Sequence, residues 1–229
     1  MEPSGVAVGI RSRIRSGRDG RFWSPDDFDD IGSPLQVDRV LSRLAMQDEL
    51  RNIRRGLYWW GKPTPFGMSR PSTAQVVSAL VGDRGVGPGG LSAANDLGLT
   101  TQVPSVEVIA VPRRPPRPLP QVRFVDRSGR PGRVTAGLHG TEVAFLEVLG
   151  DWNRVVELPP DAATRKLVDL VHSGAVRTDR IAQAARSEPA VVRDRLRQVL
   201  IASGAPDVAA RVPASRSVRP RAEPIAVGL

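Results

Sequence analysis

The side chains with chemistry to offer in this chain are arginines. Of its 33 basic residues 31 are arginine, leaving only Lys62 and Lys166, and they face 24 aspartates and glutamates. A guanidinium forks onto phosphate oxygens, carboxylates and the guanine edge, so this usage points to recognition. Catalysis finds no comparable support. The absence of cysteine removes a thiol nucleophile, disulfides and thiolate metal sites. The two histidines, His139 and His172, are far apart, and no Ser, Asp and His share a nucleophile–base spacing. The glycine-rich GDRGVGPGG lacks GxxxxGK[ST] and follows no expected strand, so it is expected to be a flexible turn and not a phosphate cradle. No catalytic residue, metal or cofactor is expected.

The net charge of +9 over 229 residues is unevenly placed. Residues 1–62 are net +2, 63–111 are −1, 112–135 are +6, 136–210 are −1 and 211–229 are +3. No apolar run approaches the ~20 residues of a membrane span. The first charges follow a short apolar stretch, the reverse of a signal peptide, so a cytoplasmic protein is expected, with no membrane partner.

The elements that must position the N-terminal arginines come next. Val6, Ile10 and Ile14 lie four apart, with Arg11, Arg13 and Arg15 elsewhere on the wheel, which predicts a helix over 6–16 with a basic face. In FWSPDDFDDIG, Ser24 suits an N-cap, Pro25 the first helical position, and Asp26 and Asp27 the first turn. A second helix burying Phe28 and Ile31 is expected to end at Gly32. Ser33 and Pro34 then open LQVDRVLSRLAMQDEL, whose Val37, Val40, Leu41 and Leu44 share one face. LRNIRRGLYWW alternates Leu50, Ile53 and Leu57 with Arg51, Arg54 and Arg55, as a β-hairpin with a basic tip would. Three helices followed by a wing make residues 1–62 a winged helix-turn-helix DNA-binding domain. Its second paired helix would present Ser33, Gln36, Arg39 and Arg43 to base edges. Arg51, Asn52, Arg54 and Arg55 on the wing would meet phosphate or the minor groove, and Arg11, Arg13 and Arg15 the backbone. Asp26, Asp27, Asp29 and Asp30 would repel phosphate if they faced it. Trp23, Tyr58, Trp59 and Trp60 could stack on bases; packing the small core is the favoured role.

GKPTPFGMSRP at 61–71 suits a linker. A second domain, 63–210, is expected to combine a small mixed sheet (72–135) with a helical region (138–204). In it STAQVVSALV is helical, LSAANDLGL a second helix, VEVIAV and QVRFVD are strands, and Val134 belongs to a short return strand. RRPPRPLP between the strands is too proline-rich for the middle of a sheet; it is either a polyproline ligand or an exposed connection. Gly150, Gly174 and Gly204 are placed to end helices. Residues 211–229 lack periodicity and read as a disordered basic tail. The fold class is therefore α+β, a winged helix-turn-helix followed by a mixed α/β unit and a helical C-terminal region.

FWSPDDFDDIGS, VDRVLSRLAMQDELRNIRRGLYWW and GGLSAANDLGLTTQVPSVEVIAV together resemble the AbiEi-type antitoxins and transcriptional regulators of bacterial type IV toxin–antitoxin systems. The resemblance extends weakly to about residue 205 and is most specific at Ala93–Asn95, Leu97–Leu99 and Thr101–Pro104. It implies an autorepressor binding inverted repeats in double-stranded DNA of its own promoter, and an antitoxin opposing a cognate nucleotidyltransferase-like toxin. It also implies DNA contacts from Arg39, Arg43, Arg51, Arg54 and Arg55. The competing expectation is a protein-interaction module whose winged helix contacts a partner and not DNA.

Overall fold

Two runs of tertiary contacts divide the chain, Met1–Ala79 and Leu80–Leu229. The computed structural model describes residues 5–65 and 67–214, and the fold is α+β.

In the first unit, α1 (Gly5–Ser16) buries Ala7, Ile10 and Ile14. After a turn, β1 (Arg21–Trp23) pairs antiparallel with β3 (Leu57–Trp60), whose other edge carries β2 (Arg51–Arg54), giving the order β1-β3-β2. Between β1 and β2 lies α2 (Pro34–Met46), which buries Val37, Val40, Leu41 and Leu44. These meet Ile10, Trp23, Phe28, Leu50 and Tyr58 in one core.

Two expectations for this unit are corrected. Residues 24–31 form only a 3-10 turn over Pro25–Phe28. The aromatic Phe22 and Trp23 extend the chain into β1, and the Asp27 carbonyl, which an α-helix would offer to Ile31, accepts from Arg13 Nη1 at 2.8 Å. Ile31 N turns instead to Phe28 O at 2.9 Å. The boundary at 62/63 also moves. The stretch read as a linker holds a hairpin, β4 (Pro63–Thr64) with β5 (Gly67–Met68). It is stitched to the sheet by Arg51 Nη2 donating to Met68 O (3.1 Å) and Trp59 Nε1 to Ser69 O (2.8 Å). α3 (Thr73–Val81), capped reciprocally by Ser72 and Gln75, leads into the second unit.

There β6 (Gly87–Pro88) pairs antiparallel with β7 (Glu107–Val111), and β8 (Val122–Asp126) runs parallel to β7 on its other side. α4 (Gly90–Asp96) precedes β7. A parallel pair needs a crossover, normally a helix. Here the proline-rich residues 112–121 make it without one, so the segment is a connection. α5 (Gly132–Thr135) follows β8, and α6 (Gly140–Val155) runs through the core, buried from Glu142 to Leu149 on all sides. α7 (Pro160–His172), α8 (Thr178–Ala184), α9 (Ala190–Ala202) and α10 (Pro206–Arg211) complete the unit.

The glycine loop is not a free turn. Gly85, Val86, Gly87 and Gly89 are buried, and a Cβ at Gly87 would lie 2.6 Å from Gly140 O and 2.9 Å from Val143 Cβ. Gly150 lies just before a kink in α6, where Asp151 leaves helical geometry (φ −103°, ψ 17°), and a Cβ on it would touch Val192 at 3.4 Å. Gly174 and Gly204 do terminate helices, at φ +74° each. The tail is structured at its start, since α10 reaches Arg211 and Val212 is buried; residues 215–229 lie outside the described residues. The TTQ of LGLTTQVP clamps the exit of α6, with Thr100 Oγ1, Thr101 N and Gln102 Nε2 all donating to the Glu157 carboxylate.

The expected strand at Val134 is the helical turn α5, and electrostatics supplies the reason. Glu147 on α6 and Glu188 before α9 are both buried. Arg133, itself fully buried, donates to Glu188 through Nε (2.6 Å) and Nη2 (3.0 Å) and to Glu147 through Nη1 (2.8 Å). Arg127 adds two bonds of 2.8 Å to Glu147, and Arg130 one of 2.9 Å. Burial pushes the Glu147 carboxyl up, but the Arg127 hydrogen bonds and the charges of Arg133, Arg127 and Arg130 outweigh it and hold it below the ordinary 4.5.

Removing one partner of a buried ion pair leaves the other charge uncompensated. Glu147→Gln should therefore lower the unfolding free energy of the full chain by about 3–5 kcal/mol in urea titrations. The contribution of Glu147 is complete above its ordinary value of 4.5 and is lost as pH falls through its depressed pKa. Acid unfolding should accordingly begin below that pH, and be less steep in the variant.

Candidate nucleic-acid interface

Local sequence sets the two elements that matter. Ser33 opens α2 in a reciprocal cap with Gln36, whose Oε1 accepts from Ser33 N (3.1 Å) and Ser33 Oγ (2.9 Å). Gly56, at φ +76°, makes the tight turn between β2 and β3 that an L side chain resists. The helix is tied to the sheet by its apolar stripe and by Ser42 Oγ and Tyr58 Oη, 3.4 Å apart.

The expected arginine face of α1 is mostly engaged within the unit. Arg11 donates to both carboxylate oxygens of Glu49 (2.9 and 3.1 Å) and to Gln47. Arg13 grips Asp30 with two bonds (2.6 and 2.7 Å), and its guanidinium stands 5.9 Å from the Phe28 ring centroid. These contacts raise both arginines above their ordinary value and lower Glu49 and Asp30. Arg15 is exposed, 4.0 Å from Glu49. Asp27 and Asp30, feared as phosphate repellents, carry Arg21 and Arg13; Asp26 and Asp29 remain exposed.

Ser33 and Gln36 have their oxygens turned into the cap, which leaves the Gln36 amide nitrogen for any base edge. Arg51 is half-buried and bonded to Met68 O, so it serves the β4–β5 hairpin. Four candidates stand differently. Arg39 and Arg43 on the solvent face of α2, and Arg54 and Arg55 at the hairpin tip, are exposed and have no hydrogen-bond or ion-pair partner among the described residues. Asn52 is exposed on β2, across from Tyr58. Trp23, Tyr58 and Trp59 are buried and offer no stacking platform, with Trp59 against Phe22 (4.7 Å) and Trp23 against Phe28 (5.3 Å); Trp60 is partly buried against the same core.

Sequence reasoning passed over Leu35 and Met46, which are 61% and 78% exposed on the same helix. Both fall outside the Val37–Leu44 stripe on a helical wheel, and that signal could have marked them. Of the +6 segment, Arg113, Arg114, Arg117 and Arg123 are exposed, while Arg127, Arg130 and Arg133 turn inward. Among the described residues no group of His, Cys, Asp or Glu is arranged to hold a metal, and no helix is long and apolar enough to cross a membrane.

The profile of a family of unknown function (DUF6088) matches residues 9–118. The chain is similar to the RV2827C protein from Mycobacterium tuberculosis, known from its crystal structure. Their identity is 16%, the match covers 94% of this chain and 84% of that one, and the TM-score is 0.46. A search of curated proteins gives no match.

Because Ser33 and Gln36 cap each other, Ser33→Ala should destabilise the protein by about 1 kcal/mol. Arg39→Ala and Arg43→Ala should leave thermal unfolding unchanged, and differential scanning fluorimetry of the three variants checks the contrast.

Proposed function

We propose that the protein is a DNA-binding transcriptional autorepressor and an antitoxin that opposes a cognate nucleotidyltransferase-like toxin, acting in the cytoplasm. The first unit is then a winged helix-turn-helix. The succession α1, β1, 3-10 turn, α2, β2, β3 with sheet order β1-β3-β2 supports that assignment, with α2 as recognition helix and β2–β3 as wing. The observation that carries DNA binding is the separation of arginines into two sets. Arg11 and Arg13 answer carboxylates, whereas Arg39, Arg43, Arg54 and Arg55 keep their donors for a ligand. Arg39 and Arg43, four residues apart, project from one face of α2 and suit guanine edges or flanking phosphates. Arg54 and Arg55 at the wing tip suit the backbone or the minor groove. Leu35, exposed in the first turn of α2, adds an apolar group of the kind that meets a thymine methyl. The antitoxin half rests on the resemblance carried by Ala93–Asn95, Leu97–Leu99 and Thr101–Pro104.

Gel-shift titrations against the chain's own upstream DNA test the proposal. Charge reversal at Arg54 and Arg55 should weaken binding to every sequence and flatten the salt dependence by about 0.9 log unit per lost contact. Arg39→Ala should relax sequence preference instead. Absence of binding at low salt, together with a stable complex with the neighbouring gene's product, would favour the interaction-module alternative. Replacing thymine by deoxyuridine in the bound site removes the methyl alone. It should cost the wild-type protein severalfold in affinity and cost Leu35→Ala nothing further.

A further inference from the structure

The sheet of the second unit ends on an open strand. Its order is β6-β7-β8, so β8 is paired only along the side facing β7. In a parallel ladder alternate residues of a strand turn both backbone groups to the same neighbour. Glu107 N bonded to Gln121 O and Arg127 N bonded to Val111 O, each at 2.8 Å, fix the phase. Arg123 and Val125 therefore face β7 with their backbone groups, and Val122, Phe124 and Asp126 face away from it. Leu119 O takes Val122 N, and the Arg127 side chain takes Asp126 O. Val122 O, Phe124 N, Phe124 O and Asp126 N are left without a hydrogen-bond partner among the described residues. Acceptor, donor, acceptor and donor thus alternate along the edge, the pattern that an added strand pairs with.

The same part of the fold carries unanswered positive charge. Arg123 is exposed on β8 itself. Arg113, Arg114 and Arg117 are exposed on the proline-rich crossover, which leaves the end of β7 and returns to the start of β8. None of these arginines has an ion-pair or hydrogen-bond partner among the described residues. The two carboxylates on the paired strands do not answer them. Asp126 accepts from Ser128 N at 2.7 Å and lies beside Arg127, and Glu107 makes no ion pair among the described residues.

We propose that the free edge of β8 docks an acidic extended segment of a partner protein, added as a further strand with its carboxylates on Arg123 and the crossover arginines. Backbone pairing supplies the affinity and the arginines select the sign of the charge. DNA fits the charge but not the edge, because its backbone has no donor for the carbonyls of Val122 and Phe124. A second copy of the chain fits the edge but not the charge, because it brings a second set of the same arginines to it. The inference depends on neither the DNA-binding nor the antitoxin reading.

The probe is a fluorescein-labelled peptide of alternating glutamate and threonine, titrated into the full chain and followed by anisotropy. Binding should saturate and weaken with salt, as charge contacts at a surface do. Amide hydrogen exchange in 122–126 should slow when the peptide is bound, as Phe124 N and Asp126 N gain acceptors. The same peptide with every amide N-methylated keeps its charge, loses its donors and should bind at least tenfold more weakly. Lysine in place of glutamate should abolish binding. The combined variant Arg113→Glu, Arg114→Glu and Arg123→Glu changes only exposed positions; it should keep its melting temperature and lose at least tenfold in peptide affinity. No saturable binding, equal binding of the methylated peptide, or unchanged exchange in 122–126 overturns the proposal. So does a variant that loses affinity for a duplex oligonucleotide but not for the peptide, which assigns the arginines to nucleic acid. Concentration-dependent protection of 122–126 without peptide places a second copy on the edge and overturns it as well.

Discussion

A charge inside an apolar helix bundle has to be answered, and the second unit is arranged around that requirement. α6 is buried from Glu142 to Leu149, and two of those residues are glutamates. Glu142 receives the guanidinium and backbone amide of Arg177. Glu147 receives Arg127, Arg130 and Arg133, which places the 126–133 segment against α6 and, through Glu188, against the start of α9. An isolated carboxylate there would neutralise or unfold the region, so the helical turn at 132–135 and the 187–189 connection have little freedom. Gly132 shows how tight the fit is: its amide donates to Ser187 Oγ, and a Cβ would come 2.7 Å from Ala184 O.

The same rule sorts the arginines of the first unit. Arginines that meet a carboxylate inside the unit become structural struts, as Arg13 does between Asp30 and the Asp27 carbonyl. Those that do not remain available for an external anion. Arg39, Arg43, Arg54 and Arg55, the proposed DNA contacts, belong to that second set. Net charge over a segment was a poor guide to it. The +6 segment directs Arg127, Arg130 and Arg133 inward and only Arg113, Arg114, Arg117 and Arg123 outward.

Much of the first unit was legible because its signals are local. The Ser33–Gln36 cap, the Val37–Leu44 stripe and the Arg-Gly turn of the hairpin act within a few residues, and α2, β2 and β3 form where those signals lie. The 24–31 segment has helix-starting chemistry of the same quality but stops after one 3-10 turn. What stops it is non-local: pairing of β1 with β3 and capture of the Asp27 carbonyl by Arg13. Of the candidate interface, the wing tip and the outer face of α2 could be read from the sequence. The engagement of Arg11, Arg13 and Arg51 could not, nor could the exposure of Leu35.

The sequence by itself determined the α+β class, the bounds of most helices, the basic hairpin and the lack of cysteine chemistry, because periodicity, caps and composition act over short distances. The tertiary structure alone decided which arginines are struts and which are free to bind. Their partners lie far along the chain, 38 residues from Arg11 to Glu49 and 55 from Arg133 to Glu188, beyond the reach of any pattern in neighbouring residues. It also decided that the glycine-rich stretch packs at its Gly85–Gly89 end, since Gly87 owes its identity to the closeness of Gly140 and Val143 on another element.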